Sequence, residues 1–374
     1  MTGPRVAYVI ATTAGGTGRH VAMLAEGCAA RGLAVRVFGP PATRSLFPAV
    51  AFAPVDIAGR PRPARDTAAV LRLRGLLAGH AADVVHAHGL RAGATAAIAL
   101  AGPRGRRPGP ALLVTVHNSA PPGTVSGAAY LVLERLTARR ADAVLCVSAD
   151  LAGRMRRAGA RDVTLATVPA PAAAAPSAEA IAKARADICG CGRPVVLAVG
   201  RLARQKGFDT LVDAAVILRD RDPLPRLVIA GDGPLAGPLA ARSASAGTDV
   251  RFLGQRADVP GLLAAADVVV VPSRWEGQPL VVQEALRAGR PLVASRTGGI
   301  TALTGEDGAV LVPPGDPGRL ASAIASVLDD PVLSASLAAA AAARSLMLPS
   351  PADAVDAVAA AYARLTAAGG PASR

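Results

Sequence analysis

Short, uninterrupted apolar runs alternate with longer helical patterns along the whole chain. In the first half the runs fall at 6–11, 34–38, 84–86, 112–116 and 143–147. Alternate side chains of a strand point to opposite faces. A run that is apolar at every position therefore predicts a strand covered on both sides. The segments between the runs suit crossover helices. One is predicted to start at Ser148, a good N-cap, and to stop before Gly159. Repeated strand–helix units of this kind predict a doubly wound parallel sheet.

The rhythm breaks at 169–182, a stretch rich in proline and alanine, and resumes at Pro194. Further runs follow at 195–199, 226–230, 250–253, 267–272, 291–294 and 309–312. The expected organisation is an α/β chain of two Rossmann-like domains. Residues 1–168 form the first domain, 169–193 the linker and 194–350 the second domain. A C-terminal helix over 351–374 follows, with a return to the first domain as one course open to it. Two such domains on a hinge would present the carboxyl ends of their strands to a central cleft, where open α/β sheets bind ligands.

The 374 residues suffice for two full cores, and a hydrophobic share of 51% argues against disorder. Charge is unevenly spread. Residues 1–185 hold 23 Lys and Arg against 9 Asp and Glu, whereas 186–374 hold 18 of each. A genome-wide drift towards arginine would act on both halves alike, so the split points to an anionic surface or acceptor for the first half. The candidate clusters are 60–74, 104–107 and 154–157. The four cysteines, Cys28, Cys146, Cys189 and Cys191, are too scattered for a disulfide framework or a zinc site. With no secretory pattern and no apolar run of membrane-spanning length, the expected location is cytoplasmic, soluble or peripheral on the inner face of the membrane.

Candidate chemistry sits where predicted strands end. After the first strand, Gly15 and Gly16 open a turn that leads into a helix. Such a turn can bring backbone N–H groups to a phosphate, or can be an ordinary tight turn. The full dinucleotide fingerprint is missing, as is the ribose-binding acid on the second strand, which argues against a redox dinucleotide. In the second half, Arg201 and Lys206 follow a strand and precede a helix. A guanidinium fork and a compact ammonium suit a pyrophosphate. Lys206 stands out because Lys183 is the only other lysine. A further strand-end turn carries Gly231, Asp232 and Gly233. Glu276 is predicted on a loop, and Glu284 within a helix that starts near Pro279. The first-turn N–H groups of Leu280 and Val281 would then face phosphates. Asp220 and Asp222 read as solvated turn residues, and no metal-binding pair of aspartates is found.

The pieces AGGTGRH, DVVHAHG, VTVHN, VGRLARQKGFDTLVDA, LVIAGDGPL, VRFLGQRADV and PSRWEGQPLVVQEALRAGRPLVASRTGG occur in that order over most of the chain. Together they resemble the retaining glycosyltransferases of GT-B fold often called family 4. The resemblance implies that the second domain binds a nucleoside-diphosphate sugar, UDP- or GDP-linked, and the first binds the acceptor. It assigns Arg201 and Lys206 to the leaving diphosphate, Glu276 to the donor sugar and Glu284 to the ribose. Gly16 would meet the phosphates, His117 would lie near the reacting carbon, and His20 would orient acceptor groups. His86 and His88 read as structural. One departure is Gly277-Gln278-Pro279, where many members have Gly-Phe-Gly after the first acid; Gln278 is expected to alter donor-sugar preference.

The resemblance also implies retention of anomeric configuration and no metal or other cofactor. The acceptor is expected to be a lipid, a saccharide or another small molecule, with no nucleic acid as partner. Two other readings stay open: a sugar-nucleotide epimerase of similar architecture, and a non-catalytic carbohydrate- or nucleotide-binding protein.

Overall fold

The computed structural model describes residues 3–12, 16–59, 62–101, 109–117, 125–170, 174–189 and 192–368. Gly15, Cys191 and the arginine cluster at 104–107 lie outside the described residues. The chain divides into two compact units, one of Met1–Pro171 with Pro349–Arg374, the other of Ala172–Leu348.

The first unit is built on a seven-stranded sheet. Its strands are β1 (Arg5–Ile10), β2 (Ala34–Gly39), β3 (Ala51–Pro54), β4 (Val84–His88), β5 (Ala111–Val116), β6 (Ala143–Cys146) and β7 (Val163–Leu165). They lie in the order β3-β2-β1-β4-β5-β6-β7, and every pairing is parallel. The central strand β1 is buried from Val6 to Ile10, because helices cover both of its faces. Val6, Tyr8 and Ile10 point to one face, where Val21 and Leu24 of helix Gly16–Ala30 meet Val355 and Tyr362 of helix Pro351–Ala368. The chain thus returns to its first unit for the last helix of that core.

The second unit carries β8 (Val195–Val199), β9 (Arg226–Ala230), β10 (Val250–Phe252), β11 (Val268–Val271), β12 (Leu292–Ser295) and β13 (Val310–Val312). Their order is β10-β9-β8-β11-β12-β13, again all parallel. Val195, Leu197, Val228, Val269 and Val271 enter one core. Their immediate neighbours Val196, Ala198, Ile229, Val268 and Val270 enter the core on the opposite face. This strict alternation explains why the runs look apolar throughout.

Two strands escape the sequence pattern. β3 and β7 are both edge strands, short and largely exposed, and β3 ends in a proline that an edge tolerates. The stretch 169–193, expected to be a linker, contains helix Ala178–Cys189. Ala184, Ile188 and Cys189 of that helix belong to a core of the second unit. Its alanine content disguised a helix as low-complexity sequence. The helix predicted from Ser148 runs Ala149–Arg157, with Ser148 Oγ accepting from Leu151 N at 3.4 Å. Among the described residues no single helix is long and apolar enough to cross a membrane.

Candidate active site

In the second unit, loops at the carboxyl ends of β8, β9 and β11 lock together through their backbones. Leu202 N donates to Asp232 O at 2.9 Å, and Arg274 N to Gln205 O at 2.8 Å. Two glycines permit the approach. A Cβ on Gly231 (φ +143°) would sit 1.9 Å from Gly200 O, and one on Gly207 (φ +63°) would sit 2.1 Å from Pro272 O. Only glycine combines such φ values with so little space. Gly233 packs as tightly on Leu202, and exposed Asp232 turns its carboxylate onto Gly233 N at 2.7 Å.

This frame fixes Lys206 and Glu276. Lys206 Nζ donates to Glu276 Oε1 at 2.5 Å, and Ser273 Oγ donates to the same oxygen at 2.7 Å. Gln205 Nε2 bonds Trp275 O at 3.0 Å and reaches Glu276 Oε2 at 3.4 Å. The Glu276 side chain is only 5% exposed, against 22% for Lys206. So buried a carboxylate persists because three donors surround it. The ammonium has three N–H groups, and one is committed to Glu276. Arg201, on the same β8 loop, is exposed and has no ion pair or side-chain hydrogen bond among the described residues.

Helix Leu280–Arg287 starts after Pro279, which occupies the cap position rather than the first helical one. No side chain caps it, so the N–H groups of its first turn, at Leu280 and Val281, have no capping acceptor among the described residues. Glu284 lies half-buried in this helix. Oε1 of Gln278 and Oγ1 of Thr297 are buried without a hydrogen-bond partner among the described residues.

In the first unit, Gly16 is the first residue of helix Gly16–Ala30, and His20 is buried one turn on. His117 follows β5 and is also buried; the His20 and His117 rings meet edge to face, with centroids 5.8 Å apart. Burial lowers the imidazole pKa of His20 to about 4 and that of His117 to about 3, the latter with a contribution from His20. Both rings are therefore neutral near pH 7.

No sequence signal pointed to the hydrogen-bond relay beside them. Tyr362 OH donates to Tyr8 OH at 2.8 Å, and Tyr8 OH donates to Cys28 Sγ at 3.6 Å. Having given its proton to Tyr8, the Tyr362 oxygen accepts from His86 Nδ1–H at 2.7 Å. His86 Nε2 then accepts from Thr115 Oγ1, also at 2.7 Å. His86 is structural in this sense, tying the C-terminal helix to β4.

Several arginines of the basic half are spent internally. Arg154 grips Glu134 with two bonds, at 3.1 and 2.9 Å, and Arg91 pairs with Asp66. Arg74 donates to the carbonyls of Ile98, Ala99 and Ala101, the carboxyl end of helix Leu90–Ala99. Among the described residues no group of three or more His, Cys, Asp or Glu is placed to hold a metal ion.

Comparison with known proteins places these features in a family. The model for a glycosyl transferase 4-like domain matches residues 15–171, and that for glycosyl transferases group 1 matches 193–330. The chain is 36% identical over 147 residues to an alpha-D-kanosaminyltransferase of Streptomyces kanamyceticus; the match covers 38% of this chain and only 38% of that relative's length. It is 33% identical over 260 residues to a GDP-mannose-dependent alpha-(1-6)-phosphatidylinositol monomannoside mannosyltransferase of Mycolicibacterium smegmatis, with 64% and 66% of the two chains covered. A crystal structure of Anabaena HepE in complex with UDP and glucose superposes with a TM-score of 0.81 at 22% identity, covering 96% of this chain and 99% of the other. That likeness shows the fold: two parallel-sheet Rossmann-like domains of the GT-B type. With one family model on each unit and this fold beneath both, the chain belongs to the group 1 glycosyltransferases.

Proposed function

We propose that the protein moves a sugar from a UDP- or GDP-linked donor to an acceptor hydroxyl, with retention of anomeric configuration and without a metal. The observation that carries this reading is the Lys206–Glu276 pair at the carboxyl edge of the second sheet, with Arg201, which has no partner among the described residues, on the same loop. Breaking the anomeric bond builds negative charge on the departing diphosphate. Arg201, the spare N–H groups of Lys206 and the first-turn amides at Leu280 and Val281 can stabilise it where it grows. Glu276, held rigid by Lys206, Ser273 and Gln205, contacts the donor sugar, and Glu284 holds the ribose. Gly231, Asp232 and Gly233 shape the phosphate side of the pocket. Gly16 of the first unit meets the donor phosphates, and His20 and His117 serve the acceptor and the reacting end of the donor. The acceptor is a lipid or saccharide, and the basic charge of the first unit favours an anionic or membrane-borne one, made or used at the inner membrane face.

The test is a matrix of nucleotide sugars against lipid and saccharide acceptors, with and without anionic vesicles. Products would be read by mass spectrometry and their anomeric configuration by NMR. Donor-dependent transfer with retention is expected, and excess EDTA should leave the rate unchanged. A donor sugar altered in the arm without acceptor would instead point to epimerisation and overturn the assignment.

A further inference from the structure

His88 closes β4 and sits beside His117, which follows β5. The register pairs His88 with Thr115, two residues before His117. His88 Nδ1 lies 3.2 Å from His117 Nε2, and the two ring planes are within 25° of parallel with centroids 5.5 Å apart, so the nitrogens meet edge to edge. On its other sides His88 stacks on Tyr8, with centroids 5.4 Å apart, and lies against the ring of His86, which is tilted by 36° with its centroid 4.1 Å away. It therefore has almost no freedom to turn. Its second nitrogen, Nε2, is buried with no partner among the described residues.

A neutral imidazole carries one N–H and one bare nitrogen, so this contact has two possible proton arrangements. In one, His88 holds its proton on Nε2, where nothing accepts it, and His117 donates from Nε2. In the other, His88 donates from Nδ1 to a bare His117 Nε2, and the proton of His117 must reside on Nδ1. The first arrangement strands a buried N–H; the second strands only a bare ring nitrogen. Buried donors without acceptors are the rarer and costlier defect. Burial also holds both rings neutral, so a shared imidazolium does not arise near pH 7.

We infer that His88 is a positioning residue that fixes the tautomer of His117, so that His117 presents Nδ1–H to the substrate as a hydrogen-bond donor and not as a proton acceptor. The consequence for the mechanism rests on the transferase reading above; the tautomer itself does not. With His117 unable to take the acceptor's proton at Nδ1, that proton passes to an oxygen of the departing diphosphate. There it balances the negative charge left by the broken anomeric bond, while the acceptor oxygen forms the new one.

The tautomer can be read without any activity. The chain has five histidines, His20, His80, His86, His88 and His117. Long-range proton–nitrogen NMR of the full chain labelled at histidine, assigned with single histidine variants, reports which nitrogen of each ring is protonated. For His117 we expect a protonated Nδ1 and a bare Nε2; a protonated Nε2 overturns the inference. Kinetics then separate positioning from packing. His88→Phe keeps a stacked ring but removes the donor, whereas His88→Asn keeps an N–H close to the position of Nδ1. The Phe variant should lose roughly 10²-fold in kcat with the donor KM little changed, as expected for misplacement of a substrate-contacting group. The Asn variant should recover most of that loss and keep the His117 tautomer. Equal activity of the two variants, both folded by circular dichroism, would show that His88 only fills space. Failure of every donor and acceptor would remove the transferase reading and leave the NMR outcome to decide the tautomer.

Discussion

Lys206 and Arg201 are assigned one task, yet their surroundings separate what their removal should do. Arg201 is exposed and has no partner among the described residues, so Arg201→Ala should leave thermal stability unchanged while lowering kcat about 10²–10³-fold at saturating donor. Lys206→Ala should lower kcat to a similar extent. It also strips a partner from the buried Glu276 carboxylate, a loss of about 1–3 kcal/mol, visible as a drop in melting temperature. Differential scanning fluorimetry beside steady-state kinetics separates the two. Lys206 was legible in the sequence because lysine is so rare there. Its companions Ser273 and Gln205 were not, since a serine and a glutamine in loops have many uses. Only the fold shows that they converge on Glu276. Gln278 was legible as a departure from the family pattern, and the structure adds that its Oε1 is buried and unpartnered among the described residues.

Buried strands were the easiest elements to read. β8, β9, β11 and β12 are covered on both faces, and such strands have no polar positions to blur the pattern. Strands at a sheet edge are half solvated and short, so β3 and β7 left no clear mark. Helix Ala178–Cys189 was hidden for the opposite reason, because Ala-rich sequence suits a helix and a linker alike. The strand-end turns were legible as glycine clusters, but the reason for each glycine emerges only from contacts. Gly231→Ala tests this directly. The added methyl would meet Gly200 O at 1.9 Å at a φ of +143°, so the β8 and β9 loops must part. A destabilisation of about 1–3 kcal/mol, as for overpacked sites, is expected in urea unfolding, with a large rise in donor KM. A neutral substitution would mean that the loops yield easily and do not frame the pocket.

Across the whole molecule, all five histidines belong to the first unit. Four of them are buried, and burial lowers the pKa of each: to about 4 for His20, to about 3 for His117, and well below the ordinary range for His86 and His88. Unfolded, each binds a proton near pH 6.5; folded, it does so only at far lower pH. Between those values the unfolded state holds more protons, so stability falls as pH drops below about 6.5. Each buried histidine contributes a loss of about 1.4 kcal/mol per pH unit across its window. The second unit has no histidine. Asp187, Asp258 and Asp307 there are held below the ordinary aspartate range, chiefly by hydrogen bonds from Arg256, Arg256 and Arg344, so their support is lost only below about pH 4. Acid should therefore loosen the first unit before the second. Hydrogen exchange of β1 and β4 should accelerate between pH 6 and 4.5, while fluorescence of Trp275, the single tryptophan and a residue of the second unit, stays native. Simultaneous loss of both signals would contradict this. The histidines could be read from the sequence, but their common burial could not, because it depends on β1, β4, β5 and two distant helices meeting.

Helix Pro351–Ala368 is the last element of the first core to leave the ribosome, emerging after the whole second unit has been synthesised. A nascent chain must therefore hold an unfinished apolar surface around Val21, Leu24 and Tyr8 while its neighbour folds to completion, and it gains protection only when Val355 and Tyr362 arrive. Premature termination before Val355 would yield one sound lobe joined to one with an open flank, a product suited to chaperone capture rather than to partial function.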